Sequence, residues 1–143
     1  MKLNNVVAAI IKKESYYFIA QRNKNKYMDL KWEFPGGKVE IGETFEEALR
    51  REIKEELNIK IKILNKVAEE KFDDHTINVI IHYYLCSMEN DLIELLEHNK
   101  SAWVKKMNFI NTALYLEIIK FYRCFKLIHK NYLLNKYQLV MHL

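Results

Sequence analysis

Three glutamates near the middle of the chain have the spacing that gathers carboxylates on one face of a helix. Glu52, Glu55 and Glu56 are three and four residues apart, so on a helix they repel one another by roughly a few tenths of a kcal/mol per pair. A divalent cation would neutralise that repulsion, and oxygen ligands suit Mg²⁺ or Mn²⁺. The alternative is an ordinary charged face in solvent, which the favourable Arg51–Glu55 pair also supports. The residues alone leave both interpretations open.

The loop before these glutamates concentrates the residues that constrain backbone conformation. The segment Trp32–Gly37 contains the only proline and two of the three glycines of the chain, which marks a loop whose backbone geometry matters. A helix is predicted next, over Thr44–Leu57, because Thr44 and Glu47 form a capping box and apolar residues recur every four residues. The helix therefore places the glutamates directly after the glycine loop.

The rest of the chain predicts strands on both sides of this helix and a second helix after them. Alternating or continuous apolar residues indicate strands, and apolar spacings of four and three indicate an amphipathic helix. This order favours an α+β sandwich, with a mixed β-sheet flanked by the two helices, over a bundle or a barrel. The predicted strands are Val6–Ile11, Tyr16–Arg22, Ile59–Ile63, Ile77–Leu85 and Trp103–Val104, and the second helix is Thr112–Lys130.

Composition limits the chain to one globular domain. Its 143 residues are 50% hydrophobic, with only 3 Gly and 1 Pro, which excludes collagen-like, low-complexity and disordered chains. The widely separated Cys86 and Cys124 indicate buried, inert thiols in a reducing cytoplasm rather than disulfides, and the histidines lack zinc-ligand spacing with them.

Charge and hydropathy indicate the class of ligand. The net charge of +4 comes from scattered basic residues without a long run of like charge, which favours a small phosphate-bearing ligand over nucleic acid. No apolar stretch approaches the roughly 18 residues of a membrane span, so we expect no membrane partner.

The segment from Gly37 to Ile59 resembles the Nudix hydrolases, whose box is G-x5-E-x7-R-E-U-x-E-E-x-G-U, with U a bulky apolar residue. One position departs: the second box glycine is Asn58, and Asn best tolerates the left-handed conformation that ends helices. The segments Trp32–Lys38 and Ala20–Arg22 look like the MutT-type subgroup. We expect a single Nudix domain over 1–143, with a family-like core over 4–130 and an extension over 131–143. The residues on the box are Gly37, Glu43, Arg51, Glu52, Ile53, Glu55, Glu56 and Ile59.

The resemblance implies roles for individual residues. Glu43 and Arg51 would be structural and tie the helix to its loop. The general base would be Glu52 or Glu97, where Glu97-His98 precedes a Trp-containing strand as in some relatives, with Glu94 as a rival. The metal ligands for Mg²⁺, or for Mn²⁺ in its place, would be the Gly36 carbonyl, Glu52, Glu55 and Glu56. The substrate-binding residues would be Arg22, Phe34, Gly37, Lys38 and Phe72. From the residues alone, Arg22 is equally an ordinary strand-end arginine, and the two phenylalanines are equally core residues.

The activity implied by the resemblance is Mg²⁺-dependent hydrolysis of a nucleoside triphosphate to a monophosphate and pyrophosphate, which clears modified or surplus nucleotides. Two kinds of nucleobase in the substrate remain open, an oxidised purine and a pyrimidine. Asn108 and Asn111 lie near the position where relatives read oxidised guanine, but not clearly in register with it. Two alternatives are a nucleoside diphosphate-sugar hydrolase of the ADP-ribose type and a non-catalytic nucleotide-binding module.

The C-terminal extension is too apolar for a frayed end. It therefore predicts either packing over the last helix of a monomer or burial in a two-fold homodimer. The apolar residues of this extension are Tyr132, Leu133, Leu134, Tyr137, Leu139, Val140, Met141 and Leu143.

Overall fold

A mixed β-sheet with one helix against it forms the part of the chain that the computed structural model describes, namely residues 2–25, 30, 32–73 and 78–105. Among these residues, no helix has the length and apolar character that crossing a membrane requires. The elements are β1 (Asn4–Lys13), β2 (Tyr16–Arg22), β3 (Trp32–Glu33), β4 (Gly36–Lys38), α1 (Phe45–Leu57), β5 (Ile61–Asp73), β6 (Asn78–Met88) and β7 (His98–Lys105).

The sheet has the strand order β3-β2-β1-β6-β5, with β4 paired to β1 and β7 paired to β2. Strands β1 and β6 run parallel, from Asn4 opposite Val79 to Ile11 opposite Cys86. The other pairs are antiparallel. A mixed sheet with a helix confirms the predicted α+β class, while the second predicted helix, over Thr112–Lys130, lies outside the described residues.

Helix α1 begins and ends where its sequence predicts. The Thr44 hydroxyl accepts a hydrogen bond from the Glu47 backbone N–H (3.2 Å), and the Glu47 carboxylate accepts one from the Thr44 backbone N–H (2.8 Å). This capping box satisfies two backbone donors that the first helical turn leaves unpaired. At the other end Asn58 adopts the left-handed conformation (φ 52°), which stops the helix after Leu57.

Alternation along the strands divides the apolar residues between the two faces of the sheet. One set of β1 side chains packs under α1, and the intervening set packs on the opposite face. The cluster under α1 contains Val7, Ala9, Ile11, Phe18, Ala20, Ala48, Leu49, Ile53, Leu57, Ile59, Ile61, Tyr84 and Cys86. The opposite cluster contains Ala8, Ile10, Tyr17, Ile19 and Tyr83. Ile53 and Leu57 are buried on the sheet, and Glu52 and Glu56, each one residue earlier, lie at the edge of that buried face next to β4.

Several predicted strands are longer in the structure. The strand predicted at Ile59–Ile63 instead begins at Ile61 and continues to Asp73, because β6 pairs with it throughout and two bulges absorb the break in alternation around Asn65. The short strand predicted at Trp103–Val104 extends from His98 to Lys105, because its polar first half pairs with β2 through the backbone.

Candidate active site

Glu43 and Arg51 link the loop before α1 to the helix itself. Arg51 donates from Nε to Glu43 Oε1 (2.5 Å) and from Nη2 to Oε2 (2.9 Å), and Nη2 also donates to the Lys38 carbonyl (3.0 Å). The Arg51 hydrogen bond, aided by the Glu40 backbone N–H, lowers the pKa of the Glu43 carboxyl to about 2. The same pair raises the pKa of Arg51. A bidentate pair of this kind fixes the loop geometrically as well as electrostatically.

Glu52 lies between Arg51 and Gly37, which is part of strand β4 and not of the loop that the sequence predicted over Trp32–Gly37. Its Oε1 accepts a hydrogen bond from Arg51 Nη1 at 2.9 Å, and its side chain is 15% exposed. A Cβ atom on Gly37 would come within 2.3 Å of the Glu52 carboxyl carbon, so a side chain at position 37 would displace that carboxylate. Burial raises the pKa of Glu52, Arg51 opposes that effect, and the charges of Glu55 and Glu97 reinforce it.

Glu56 is the most buried carboxylate of the site, with 7% of the residue exposed. Its Oε2 accepts a hydrogen bond from the Gly36 backbone N–H at 3.1 Å. Burial, followed by the charges of Glu33 and Glu52, raises the pKa of Glu56 to about 8, although the Gly36 hydrogen bond acts in the opposite direction. A buried carboxylate surrounded by like charges is stabilised as an anion when a cation binds beside it.

The donor set fits a hard divalent cation. Carboxylate and backbone carbonyl oxygens are the ligands that Mg²⁺ and Mn²⁺ take in proteins, and Glu52, Glu56 and Gly36 lie together where α1 meets β4. Across the described ranges of the chain, no three His, Cys, Asp or Glu side chains are already arranged as a metal-binding group. Instead, Arg51 Nη1 contacts both Glu52 Oε1 (2.9 Å) and Glu55 Oε2 (3.3 Å).

Glu97 lies close enough to the buried glutamates for its charge to raise the pKa of both Glu52 and Glu56. Its backbone carbonyl accepts a hydrogen bond from Asn23 Nδ2 (2.6 Å). Glu97 itself is exposed to solvent. The rival Glu94 accepts a hydrogen bond from Asn58 Nδ2 (3.2 Å) at the end of α1.

Glu33 is a functional candidate that the sequence analysis did not identify. Its Oε2 accepts a hydrogen bond from Arg22 Nη1 (2.8 Å), and its Oε1 accepts one from Nε2 of the buried His98 (3.0 Å). Among neighbouring charges it has the largest effect on the pKa of Glu56. Glu33 is the one acidic residue within Trp32–Lys38, and that position was the available indication of a role near the other carboxylates.

The remaining predicted substrate-binding residues lie in different places. Phe34 packs against the cluster on the face of the sheet opposite α1, with its ring edge-on to Tyr83 at 6.5 Å. Lys38 is exposed next to the carboxylate site, since its carbonyl contacts Arg51. Phe72 is half-buried near the end of β5, and β6 and β1 separate that strand from β4. The described structure therefore brings Lys38, but not Phe72, next to the glutamates.

Comparison with known proteins gives a consistent result. The NUDIX domain family matches residues 1–123 of this chain. The 8-oxo-dGTP diphosphatase of Proteus vulgaris is 38% identical over 97 residues, which cover 65% of this chain and 84% of that protein. The CTP pyrophosphohydrolase of Escherichia coli (strain K12) is 33% identical over 103 residues, covering 72% and 76%. The solution structure of the E. coli ORF135 protein superposes with a TM-score of 0.72 at 29% identity, covering 92% of this chain and 93% of that one.

Proposed function

The chain belongs to the NUDIX domain family, and from that membership we propose that it hydrolyses a nucleoside triphosphate, with a divalent metal, to a nucleoside monophosphate and pyrophosphate. The observation that carries the proposal is the buried Glu56 beside Glu52, both against the glycines of strand β4. The relatives named as 8-oxo-dGTP diphosphatase and CTP pyrophosphohydrolase support this reaction class. Such an enzyme removes modified or surplus nucleotides from the cytoplasmic pool.

The metal site would use the residues that α1 and β4 bring together. The Gly36 carbonyl and the carboxylates of Glu52, Glu55 and Glu56 would hold Mg²⁺. When bound, the cation supplies neutralisation of phosphate charge and a bound water of lowered pKa. Arg51 keeps the helix and the loop in register, because it joins Glu43 and the Lys38 carbonyl in one contact set.

Glu97 is our candidate for the general base. A base needs a carboxylate that reaches the attacking water and returns its proton to solvent, and Glu97 is exposed while still acting electrostatically on Glu52 and Glu56. Glu52 is the second candidate, although one of its oxygens is held by Arg51. Glu94 is the weakest of the three, because its carboxylate is bonded to Asn58.

The nucleobase of the substrate would be recognised on the side of the carboxylate site where the Arg22–Glu33 pair lies. This pair lies at the ends of β2 and β3, and the charge of Glu33 acts on the pKa of Glu56, so the pair is near the carboxylate site. The relatives' names differ in the base, one being an oxidised guanine nucleotide and the other CTP. We therefore propose a nucleoside triphosphate with either a pyrimidine or an oxidised purine.

A substrate panel tests the proposal. The purified protein is incubated with Mg²⁺ and with ordinary, oxidised and methylated nucleoside triphosphates, ADP-ribose and dinucleoside polyphosphates, and the products are separated by chromatography. We expect monophosphate and pyrophosphate from at least one triphosphate. Turnover of ADP-ribose alone would assign the chain to the nucleoside diphosphate-sugar branch, and saturable binding without any product would favour the non-catalytic module.

We also propose that the C-terminal extension makes the protein a homodimer. The basis is the high proportion of apolar residues in the sequence over 132–143. Light scattering on the full chain and on a chain ending at Lys130 tests this: loss of a dimer on truncation supports it, whereas a monomer in both cases contradicts it.

A further inference from the structure

The segment that ends at Glu97 lies along the C-terminal end of α1. This segment, residues 89–97, is called the docking segment below. Carbonyl groups at a helix end lack partners within the helix, and here backbone N–H groups of the docking segment satisfy them. Leu96 donates to the Glu56 carbonyl (2.9 Å) and Glu94 to the Leu57 carbonyl (3.0 Å), while Glu89 donates to the Lys60 carbonyl (2.9 Å) just beyond the helix. The position of Glu97 relative to Glu56 therefore depends on this contact.

Asn58 adds a side-chain bridge to the same contact. Its Oδ1 accepts a hydrogen bond from Lys54 Nζ (2.6 Å) on the last turn of α1, and its Nδ2 donates to Glu94 Oε1 (3.2 Å) of the docking segment. Asn58 holds the left-handed conformation (φ 52°) at the position where the box pattern has glycine. A glycine would adopt that conformation more easily, but it has no side chain to form the bridge.

We propose that Asn58 is a positioning residue that fixes the docking segment to α1 and thereby holds Glu97 opposite Glu52 and Glu56. The inference rests on the proposed hydrolase function, in which Glu97 takes the proton of the attacking water. The bridge connects α1, which carries all three of the proposed metal-binding glutamates, to the segment that carries the proposed general base. Asn23 Nδ2, which donates to the Glu97 carbonyl (2.6 Å), holds the other side of that segment.

The substitution Asn58→Gly tests this inference, because it keeps the left-handed backbone and removes only the bridge. We expect kcat to fall about threefold to tenfold, the effect of losing one ordinary hydrogen bond, with KM changed by less than about twofold because substrate contacts remain. We expect the melting temperature to stay level or rise, since glycine is favoured at positive φ. A residue that merely tolerates the left-handed turn would give unchanged or higher kcat.

Two further variants sharpen the test. Asn58→Asp keeps the Lys54 contact but places a carboxylate against Glu94, so its loss of kcat should exceed that of Asn58→Gly. The matched control is Asp91→Asn, which lies in the docking segment, is largely exposed and contacts Lys13 (3.4 Å) rather than α1.

Hydrogen exchange provides a readout that does not need turnover. In Asn58→Gly the Leu96 and Glu94 amides should exchange faster than in the wild type and in Asp91→Asn, since their local opening becomes easier. Unchanged exchange of these amides in Asn58→Gly would show that the Asn58 side chain does not hold the docking segment. Faster exchange with unchanged kcat would show that holding the segment does not position Glu97 for catalysis. Absence of turnover on every nucleotide contradicts the proposed function instead, and the exchange result still decides whether the bridge holds the docking segment.

Discussion

The carboxyl carbon of Glu52 lies 2.3 Å from the point where a Cβ atom on Gly37 would be. Strand β4 and helix α1 are therefore in contact through Gly37 on one side and the Glu52 carboxylate on the other. Arg51 also donates a hydrogen bond to Glu52 Oε1 at 2.9 Å, so a side chain at position 37 would disturb that hydrogen bond as it displaced the carboxylate. The position of the Glu52 carboxylate therefore depends on which residue stands at position 37.

The first prediction follows from this contact. Gly37→Ala should displace the Glu52 carboxylate and lower kcat/KM at least about tenfold, since small misplacements of catalytic groups carry losses of this order or greater. Steady-state kinetics measure the loss. Gly42→Ala is a matched control for space, because a Cβ atom there meets nothing within 4 Å, and although its φ of 87° strains the loop it should leave the Glu52 contact intact. Equal activity in wild type and Gly37→Ala would contradict the contact.

A second prediction concerns acid stability. The pKa of Glu43 is lowered to about 2 from 4.5, chiefly by the Arg51 hydrogen bond. A carboxyl with a lowered pKa in the folded state stabilises it above pH 4.5 and loses that contribution as the pH falls toward 2. Urea unfolding at pH 6 and pH 3 should therefore show a larger decrease in the free energy of unfolding for wild type than for Glu43→Gln. Parallel decreases in both proteins would refute the prediction.

A third prediction concerns the buried His98. Its side chain is 4% exposed, and its Nε2 donates to Glu33 Oε1 at 3.0 Å. His98→Leu should lower the free energy of unfolding by about 1–3 kcal/mol, because it leaves a partly buried carboxylate without that donor. Asn99→Ala is the control: its exposed side chain donates to Gln21 Oε1 at 2.7 Å, and its loss should cost about 0.5 kcal/mol or less. Similar losses in both variants would contradict the ranking.

A fourth prediction concerns Cys86, which has no exposed surface. Burial raises the pKa of its thiol to about 12, so the reactive thiolate is scarce at pH 8. In a Cys124→Ser background, a thiol reagent should label the folded protein far more slowly than the protein in denaturing urea. Rapid labelling under native conditions would show that this part of the core is open.

The sequence predicted best those features that local chemistry determines. The capping box of Thr44 and Glu47 and the left-handed Asn58 define both ends of α1, and each depends on residues close together in the chain. The strand Tyr16–Arg22 has the predicted bounds, because an apolar run over 16–20 follows directly on the polar turn around 12–15. The spacing of Glu52 and Glu56 likewise predicted a shared helix face.

What the sequence did not predict depends on distant partners. Strand β5 continues past Ile63 only because β6 lies beside it, and the polar Asn65 hides that continuation in the sequence. Glu33 becomes a member of the carboxylate group only when β2 and β7 bring Arg22 and His98 to it. The predicted helix over 112–130 and the extension after it fall outside the described residues and stay predictions.

The most direct test of the central claim is the Mg²⁺ dependence of turnover in the wild type and in Glu56→Gln. The variant keeps an oxygen that accepts the Gly36 N–H hydrogen bond, and it removes a carboxylate whose burial is unfavourable for its charge. Its melting temperature should therefore equal or exceed that of the wild type. Triphosphate hydrolysis should fall by about a hundredfold or more at every Mg²⁺ concentration, because the cation loses a ligand. Near-wild-type hydrolysis by a folded Glu56→Gln protein at saturating Mg²⁺ would contradict the account.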